Sequence, residues 1–114
     1  DHPIPRLTIA GGFAKIAKLA AGNLDLHSGR SQVDFDWLGA LVAEVGGDAR
    51  LVAEAEGANT ANQVREMAAR AGLPLADRIA ELARLTAIEV AGAGIVIEVV
   101  IFDRDGELIG KCDG

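Results

Sequence analysis

Cysteine, histidine and aromatic residues are scarce in this chain of 114 residues, and their scarcity excludes several kinds of protein. Cys112 is the only cysteine, so the chain holds neither a disulfide framework nor a cysteine zinc site. The two histidines have no clustered carboxylates around them in sequence, and we therefore expect no protein-bound metal. The single thiol fits a reducing compartment, and we expect a cytoplasmic protein.

Long apolar runs and basic patches interleaved with aromatic residues are also absent. The longest strongly apolar run, Ile95–Phe102, is interrupted by Glu98 and is far too short to cross a bilayer. The net charge is −6, and no basic patch is interleaved with aromatic residues as in nucleic-acid-binding proteins. We expect neither a membrane nor a nucleic acid as partner.

Small apolar residues dominate what is present. Hydrophobic residues make up 50% of the chain, and alanine supplies much of that share, which favours closely packed helices over a bulky core. The length fits one domain, residues 1–114. Because the chain opens at Asp1 without an initiator methionine, we expect it to be part of a longer protein.

The first two predicted elements meet at a pair of glycines. Arg6–Ala10 is predicted as a short strand that stops at Gly11 and Gly12. Phe13–Ala21 is predicted as a helix that Gly22 ends as a left-handed cap. The short, polar segment that follows, residues 24–30, is predicted as a loop or a brief strand.

Four more helices are predicted from apolar spacing and capping residues. Thr60 and Gln63 have the spacing of a capping box, and Pro74 precedes the longest helix, whose predicted buried stripe includes Leu85. The predicted helices cover residues 34–45, 48–57, 61–71 and 75–91, with Ser31 or Asp34 as the cap of the first.

The chain closes with a predicted hairpin. Ile95–Phe102 is nearly continuous and β-branched, which is typical of a strand that is covered on both faces except at Glu98. Asp105 and Gly106 are a tight-turn signal, so Glu107–Lys111 is predicted to return antiparallel. The predicted fold is α/β (α+β): a small mixed sheet, formed by one N-terminal strand and a C-terminal hairpin, packed with about five helices. Such a thin sheet requires further strands, which a preceding part of the protein would supply.

Positive charge is concentrated near the start of the chain. Residues 1–30 hold four cations against two carboxylates, a net of +2, whereas residues 31–114 hold seven basic and fifteen acidic residues, a net of −8. A basic island in an acidic protein is where an anionic ligand is expected to bind.

Gly11 and Gly12 lie between a strand and a helix, as in sites that bind phosphates or cofactors. The N–H groups of a helix N-terminus point at an anion, and glycine allows a ligand to approach the backbone closely. The sequence has neither G-x-G-x-x-G nor a P-loop. Tight packing between strand and helix explains these glycines equally well.

Lys15 and Lys18 share a helical face because they are three residues apart. Two neighbouring cations suit a polycarboxylate or a phosphate, but a solvated lysine face is the commoner arrangement.

The segment His27-Ser28-Gly29-Arg30 carries the most varied polar chemistry. His27 is able to titrate near neutrality, Arg30 is able to bind a carboxylate through two hydrogen bonds, and Asp25 is close enough to orient His27. Ser28 directly follows His27, which is poor geometry for a hydrolytic triad. The alternative is a turn whose side chains bond one another.

Asn59 and Thr60 are the last candidates for ligand binding. Their simplest interpretation is the cap of the following helix, which requires no further role.

Three segments together resemble one enzyme family. TIAGGFAKIAKLAAGNLDLHSGRSQVDF, EGANTANQ and IEVVIFDRDGELIG are similar, in this order, to the C-terminal part of the CbiD family, the cobalt-precorrin-5B methyltransferases of anaerobic cobalamin biosynthesis. The glycine-lysine helix and the HSGRS turn are the most specific pieces. The longer N-terminal portion of the family, with its threonine-glycine-rich motif, is absent from the sequence.

The resemblance implies a methyltransferase. Its co-substrate would be S-adenosyl-L-methionine, its substrate a cobalt corrinoid methylated at carbon 1, and its product cobalt-precorrin-6A. The substrate ring bears many carboxylates, so the resemblance also implies an anion-binding role for Lys15, Lys18 and Arg30. The fragment alone is expected to be inactive, and no catalytic residue is assigned.

A non-catalytic role remains the alternative. In that interpretation this domain binds or scaffolds, and the part of the enzyme that precedes it carries the chemistry. A hydrolase or a nucleotide-binding enzyme is a more distant possibility.

Overall fold

The computed structural model describes residues 5–22, 34–92 and 94–113. Within them, three strands and five helices follow one another along the chain. Their order and bounds are β1 Arg6–Gly12, α1 Phe13–Ala20, α2 Phe35–Glu44, α3 Ala49–Glu56, α4 Ala61–Arg70, α5 Leu75–Ala91, β2 Val96–Phe102 and β3 Leu108–Cys112. The predicted α+β class is confirmed.

The three strands form one mixed sheet in the order β1-β2-β3. β1 runs parallel to β2, with Arg6 opposite Val96 and Gly12 opposite Phe102, and β2 runs antiparallel to β3. All five helices lie in the crossover between β1 and β2, as a parallel connection requires.

Local sequence signals fix where the helices begin. The Asp34 carboxylate accepts hydrogen bonds from the N–H groups of Asp36 and Trp37 and so caps α2. Asp48 caps α3 by accepting from the N–H of Leu51. Side-chain oxygens satisfy N–H groups that the first turn of a helix leaves without partners.

Helices α1 and α5 cover one face of the sheet. Their apolar side chains pack on Ile97, Val99 and Ile101 of β2, which are all fully buried. Arg84 of α5 adds a hydrogen bond of 2.9 Å from its Nε to the carbonyl oxygen of Ile97. The hydrophobic core therefore lies between this face and the helices.

Helices α2, α3 and α4 extend the core away from the sheet. Leu38 and Val42 of α2 and Val64 of α4 are buried. A salt bridge of 2.8 Å between Arg78 of α5 and Glu44 of α2 links this layer to the longest helix.

The opposite face of the sheet is uncovered by the described residues, and we call it the open face. The central strand alternates between buried and half-buried side chains, so Val96, Glu98, Val100 and Phe102 point to the open face. The open face consists of Arg6, Thr8, Ala10, Val96, Glu98, Val100, Phe102, Lys111 and Asp113.

One burial prediction stays open and another needs correction. The described residues cover β2 on the helix side only, so the predicted cover of both faces is met on one face within these residues. Leu85 is 48% exposed instead of buried. Alanines 80, 83 and 87 are the buried positions there, since small side chains let α5 approach the sheet closely.

Some element boundaries also differ from the predictions. β1 continues through both glycines instead of stopping before them, because Gly11 and Gly12 pair with Ile101 and Phe102. β3 begins at Leu108 and reaches Cys112. The predicted left-handed residue after α1 is confirmed, because Gly22 has a φ of +90°. The segment 24–30 lies outside the described residues.

Candidate functional site

The candidate site is built around the junction where β1 passes directly into α1. Gly12 is the N-cap of α1, in an extended conformation, and no side chain caps the first turn. The first turn contains no acidic residue. The N–H groups at the start of α1 therefore donate to no side chain of the cap residue. The first turn also supplies no negative charge to offset the positive end of the helix dipole.

Gly12 is not required by packing. Its φ of −74° and ψ of 166° are accessible to any residue. A Cβ built on Gly12 would meet no atom within 4 Å among the described residues. Among the described residues, therefore, nothing packs against this side of Gly12, and the packing explanation finds no support there.

Gly11 differs from its neighbour. A Cβ at Gly11 would lie 3.0 Å from Cδ of Lys15 and 3.5 Å from Cδ1 of Ile16. The aliphatic stem of Lys15 lies across this glycine, so a side chain at Gly11 would have to displace it. The same contact places the Lys15 side chain beside the junction.

The two lysines of α1 differ in exposure. Lys15 is exposed, whereas Lys18 is half-buried. The ion pairs formed between described residues involve Arg50, Arg65, Arg78 and Lys111, and none of them includes Lys15 or Lys18. Within the described ranges, these lysine charges are thus not neutralised by a carboxylate in direct contact.

The parallel register brings a further cation to the same end of the sheet. Gly12 lies opposite Phe102, and the turn between β2 and β3 follows immediately. Arg104 is exposed in this turn, while the carboxylate of Asp103 accepts from the N–H groups of Asp105 and Glu107. Ligands of open α/β sheets bind outside the carboxyl ends of parallel strands.

We call this end of the sheet the carboxyl edge and define it by Gly12, Lys15 and Arg104. Sequence reasoning did not include Arg104 because its position depends on the pairing of β1 with β2. The segment DRDG signals only a turn, and nothing in the sequence gives the register that places this turn beside Gly12.

Thr60 and Gln63 form the capping box that their spacing predicts, and the backbone of Asn59 joins it. The hydroxyl of Thr60 accepts from the N–H of Gln63 at 3.2 Å, and the Gln63 side chain accepts from the N–H of Asn59 at 2.8 Å. The structural interpretation of Asn59 and Thr60 is confirmed. The hydroxyl oxygen of Thr60 is engaged in the cap, and a ligand-binding role for either residue stays a prediction.

Four candidates lie outside the described residues. They are Asp25, His27, Ser28 and Arg30, which belong to the segment between α1 and α2. Their convergence on Lys15 and Lys18 remains a prediction. The chain enters this segment after Gly22, directly beyond the helix that carries both lysines.

A concavity formed by the described residues lies elsewhere, on the open face. It has a volume of about 390 Å³, and its lining includes Arg6, Thr8, Glu98 and Asp113. The Thr8 hydroxyl donates to Glu98 at 3.0 Å. A hydrogen bond with Glu98 and the positive charges of Lys111 and Arg6 lower the pKa of Asp113. Two cations and two carboxylates therefore balance one another on this face.

Two kinds of site are not found in the described ranges. No group of three or more histidine, cysteine or acidic side chains there is arranged to hold a metal ion. None of the helices there combines the length and apolar character needed to cross a membrane.

The fold is a small α+β domain with a partly parallel sheet, and its carboxyl edge carries Lys15 and Arg104 beside the acidic side chains of the β2–β3 turn. Residues 25–113 match the family model described as CbiD, C-terminal domain. The chain belongs to this family.

Curated relatives agree with the family match, and each carries the name cobalt-precorrin-5B C(1)-methyltransferase. The chain is 54% identical to the protein of Paramagnetospirillum magneticum over 110 residues, which is 96% of this chain and 30% of that protein. It is 52% identical to the Rhodospirillum rubrum protein over 112 residues, which is 97% of this chain and 31% of that one. The Methylorubrum extorquens protein is 50% identical over 111 residues, 96% of this chain and 31% of its own length. No solved structure matches the chain.

The chain thus spans about 30% of the length of these relatives.

Proposed function

We propose that the full-length protein containing this domain is the cobalt-precorrin-5B C(1)-methyltransferase of cobalamin biosynthesis. It would transfer a methyl group from S-adenosyl-L-methionine to carbon 1 of the corrinoid ring and release cobalt-precorrin-6A and S-adenosyl-L-homocysteine. The observation that carries this proposal is identity of 54% over 96% of the chain to a protein with that name.

The role of this domain is to bind carboxylates. The corrinoid substrate bears acetate and propionate groups, and the methyl donor bears a carboxylate of its own. At the carboxyl edge, Lys15 and Arg104 supply positive charge, and the uncapped first turn of α1 supplies N–H donors. Gly12 leaves the backbone accessible there, because no described atom lies within 4 Å of the position of a Cβ.

Methyl transfer to a nucleophilic ring carbon depends mainly on alignment. The donor methyl group and the accepting carbon must be held in line and in contact, and such positioning supplies a large part of a rate enhancement. The domain contributes by binding the carboxylates of the corrinoid, which holds the rim of the ring in place. No acid or base among the described residues is required for this step.

Arg30 and His27 are proposed to complete the same site. Arg30 would bind one carboxylate through its planar guanidinium group, with Lys15 and Lys18 contacting others. Removing one desolvated, charged hydrogen bond costs about 1.5–3 kcal/mol, or roughly ten- to a hundredfold in affinity. Solvated lysines contribute less and are more sensitive to salt.

The test measures substrate affinity and turnover of the full-length enzyme at low and high salt. Arg30→Lys should lose affinity at both salt concentrations, because lysine cannot form two parallel hydrogen bonds. Lys15→Ala and Arg104→Ala should lose less affinity, and mainly at low salt. Arg50→Ala is the matched control, since Arg50 is exposed on α3 and pairs with Glu54 on the same helix. Affinities like that of Arg50→Ala in all three variants would contradict the proposed role of these cations.

The alternative is that the domain binds or scaffolds without contacting the methyl donor. The chain covers about 30% of its relatives, so the donor site can lie wholly in the remainder. Titration of the 114-residue chain with S-adenosylhomocysteine separates the two possibilities. Binding of S-adenosylhomocysteine to the 114-residue chain would support a donor site that lies partly in this domain. Binding to the full-length enzyme but not to the 114-residue chain would favour the scaffolding role. In either case, the isolated chain should have no methyltransferase activity.

A further inference from the structure

We infer that the open face of the sheet is the surface on which the remainder of the full-length enzyme docks. The inference concerns how the enzyme is assembled. It rests on family membership and does not depend on the proposed methyl transfer.

The first argument is the composition of the central strand. Val96, Val100 and Phe102 form an apolar strip along β2 on the open face, and each is half-buried. Helices α1 and α5 pack on the opposite face, against Ile97 and Ile101. The described residues thus leave the strip without a covering layer.

The second argument is the parallel pairing of β1 with β2. Seven residues of β1 pair in register with seven of β2. All-parallel sheets occur almost only with both faces covered, and the strands of such sheets are apolar on both sides. β2, although it lies in a mixed sheet, has this composition except at Glu98, yet the described residues bury only one side of it.

The third argument identifies what covers this face. The matched region belongs to the C-terminal domain of the family and accounts for about 30% of a full-length relative. About 70% of such an enzyme is therefore available to supply the second layer. By contrast, a small-molecule ligand would fill the concavity of about 390 Å³ but leave Phe102, which does not line it, uncovered.

The charges of the open face fit an interface within one protein. Arg6 and Lys111 are matched by Glu98 and Asp113, so the face has no excess charge of either sign. Such a balance suits a protein surface of mixed polarity, as at contacts between domains. It does not suit a polyanion, which requires a net positive surface.

The test compares how fast a thiol on the open face reacts in the full-length enzyme and in the 114-residue chain. Cys112 is first replaced by serine, and Thr8→Cys or Val90→Cys is introduced. Both positions are exposed in the described structure, with Val90 65% exposed on α5, away from the open face. Labelling by a maleimide at each cysteine is followed by peptide mass spectrometry.

We expect Thr8→Cys to react at least about tenfold more slowly in the full-length enzyme than in the 114-residue chain, because docking removes the thiol from solvent. Val90→Cys should react equally fast in both. Equal rates for Thr8→Cys in the two proteins would overturn the inference.

Two further outcomes are distinguished by the same experiment. If the 114-residue chain does not fold, the comparison is made within the full-length enzyme. Thr8→Cys must then react more slowly than Val90→Cys, and equal rates of the two would contradict docking. If Thr8→Cys is protected in the 114-residue chain as its concentration rises and the chain sediments as a dimer, a second copy covers this face and the inference is wrong. Neither readout depends on catalysis, so a failed docking experiment leaves the proposed methyl transfer untouched.

Discussion

The backbone of β3 lies directly against helix α5 where Gly110 meets Ala76. A Cβ built on Gly110 would lie 2.7 Å from the Cβ of Ala76 and 2.8 Å from its carbonyl carbon. Both atoms belong to Ala76 of helix α5, which packs on the sheet, so neither atom has much room to move. Glycine at this position is thus a requirement of packing.

Gly110→Ala should destabilise the domain, whereas Gly12→Ala should not. Overpacking of this kind typically costs about 1–3 kcal/mol, and we expect a loss in that range for Gly110→Ala. Gly12 has an ordinary φ and open space at its Cβ position, so alanine there should change the free energy of unfolding by less than about 0.5 kcal/mol. Denaturant unfolding of the 114-residue chain measures both. Equal effects of the two substitutions would contradict the described packing.

Gly12→Val should reduce ligand affinity of the full-length enzyme more than its stability. The backbone conformation of Gly12 is accessible to a branched residue, and no described atom lies within 4 Å of a Cβ built there. A ligand that contacts the first turn of α1 would be excluded by the added methyl groups. The measurements are the substrate dissociation constant and the melting temperature. Unchanged affinity would show that no ligand approaches this junction.

Asp77 anchors strand β3 to helix α5 through a single hydrogen bond. Its Oδ1 accepts from the N–H of Lys111 at 3.0 Å. Asp77→Ala should lower the free energy of unfolding by about 0.5–1.5 kcal/mol, the usual contribution of one hydrogen bond. Asp77→Asn keeps an acceptor oxygen and should lose less. If both variants unfold at the same denaturant concentration as the parent, this contact contributes nothing to stability.

Cys112 should react slowly with alkylating agents at neutral pH. Burial raises the pKa of its thiol above 9.0, and the nearby cation of Arg84 opposes this shift only in part. Because the thiolate is the reactive form, the rate of iodoacetamide modification should reach half of its maximum above pH 9.0. Arg84→Gln should move this midpoint higher still. A midpoint below 9.0 would contradict the effect of burial.

Capping and turn residues account for the elements that the sequence predicted well. Thr60 and Gln63 form the expected capping box, Asp34 caps α2, and the chain turns at Asp105 and Gly106 between β2 and β3. These signals act through hydrogen bonds and backbone preferences within four residues, so the sequence contains all the information that they need.

The candidate site was predicted only in part. The sequence points to Gly11, Gly12 and Lys15, because glycines and cations stand out where an apolar core does not need them. It does not separate the two glycines. The structure assigns packing against Lys15 to Gly11 and leaves open space at Gly12.

By itself, the sequence determined the order of strands and helices, the helix caps and the family, because each depends on local patterns or on residue identity along the chain. Only the tertiary structure decided that β1 pairs in parallel with β2, that Arg104 lies at the carboxyl edge, and that Val96 and Val100 lie on the open face. These features depend on contacts between residues about 90 positions apart. A continuous apolar strand does not specify which face the helices cover, since both faces offer similar side chains. The face is determined by the packing of α5 on the sheet, where small residues such as Ala83 and Ala87 are buried.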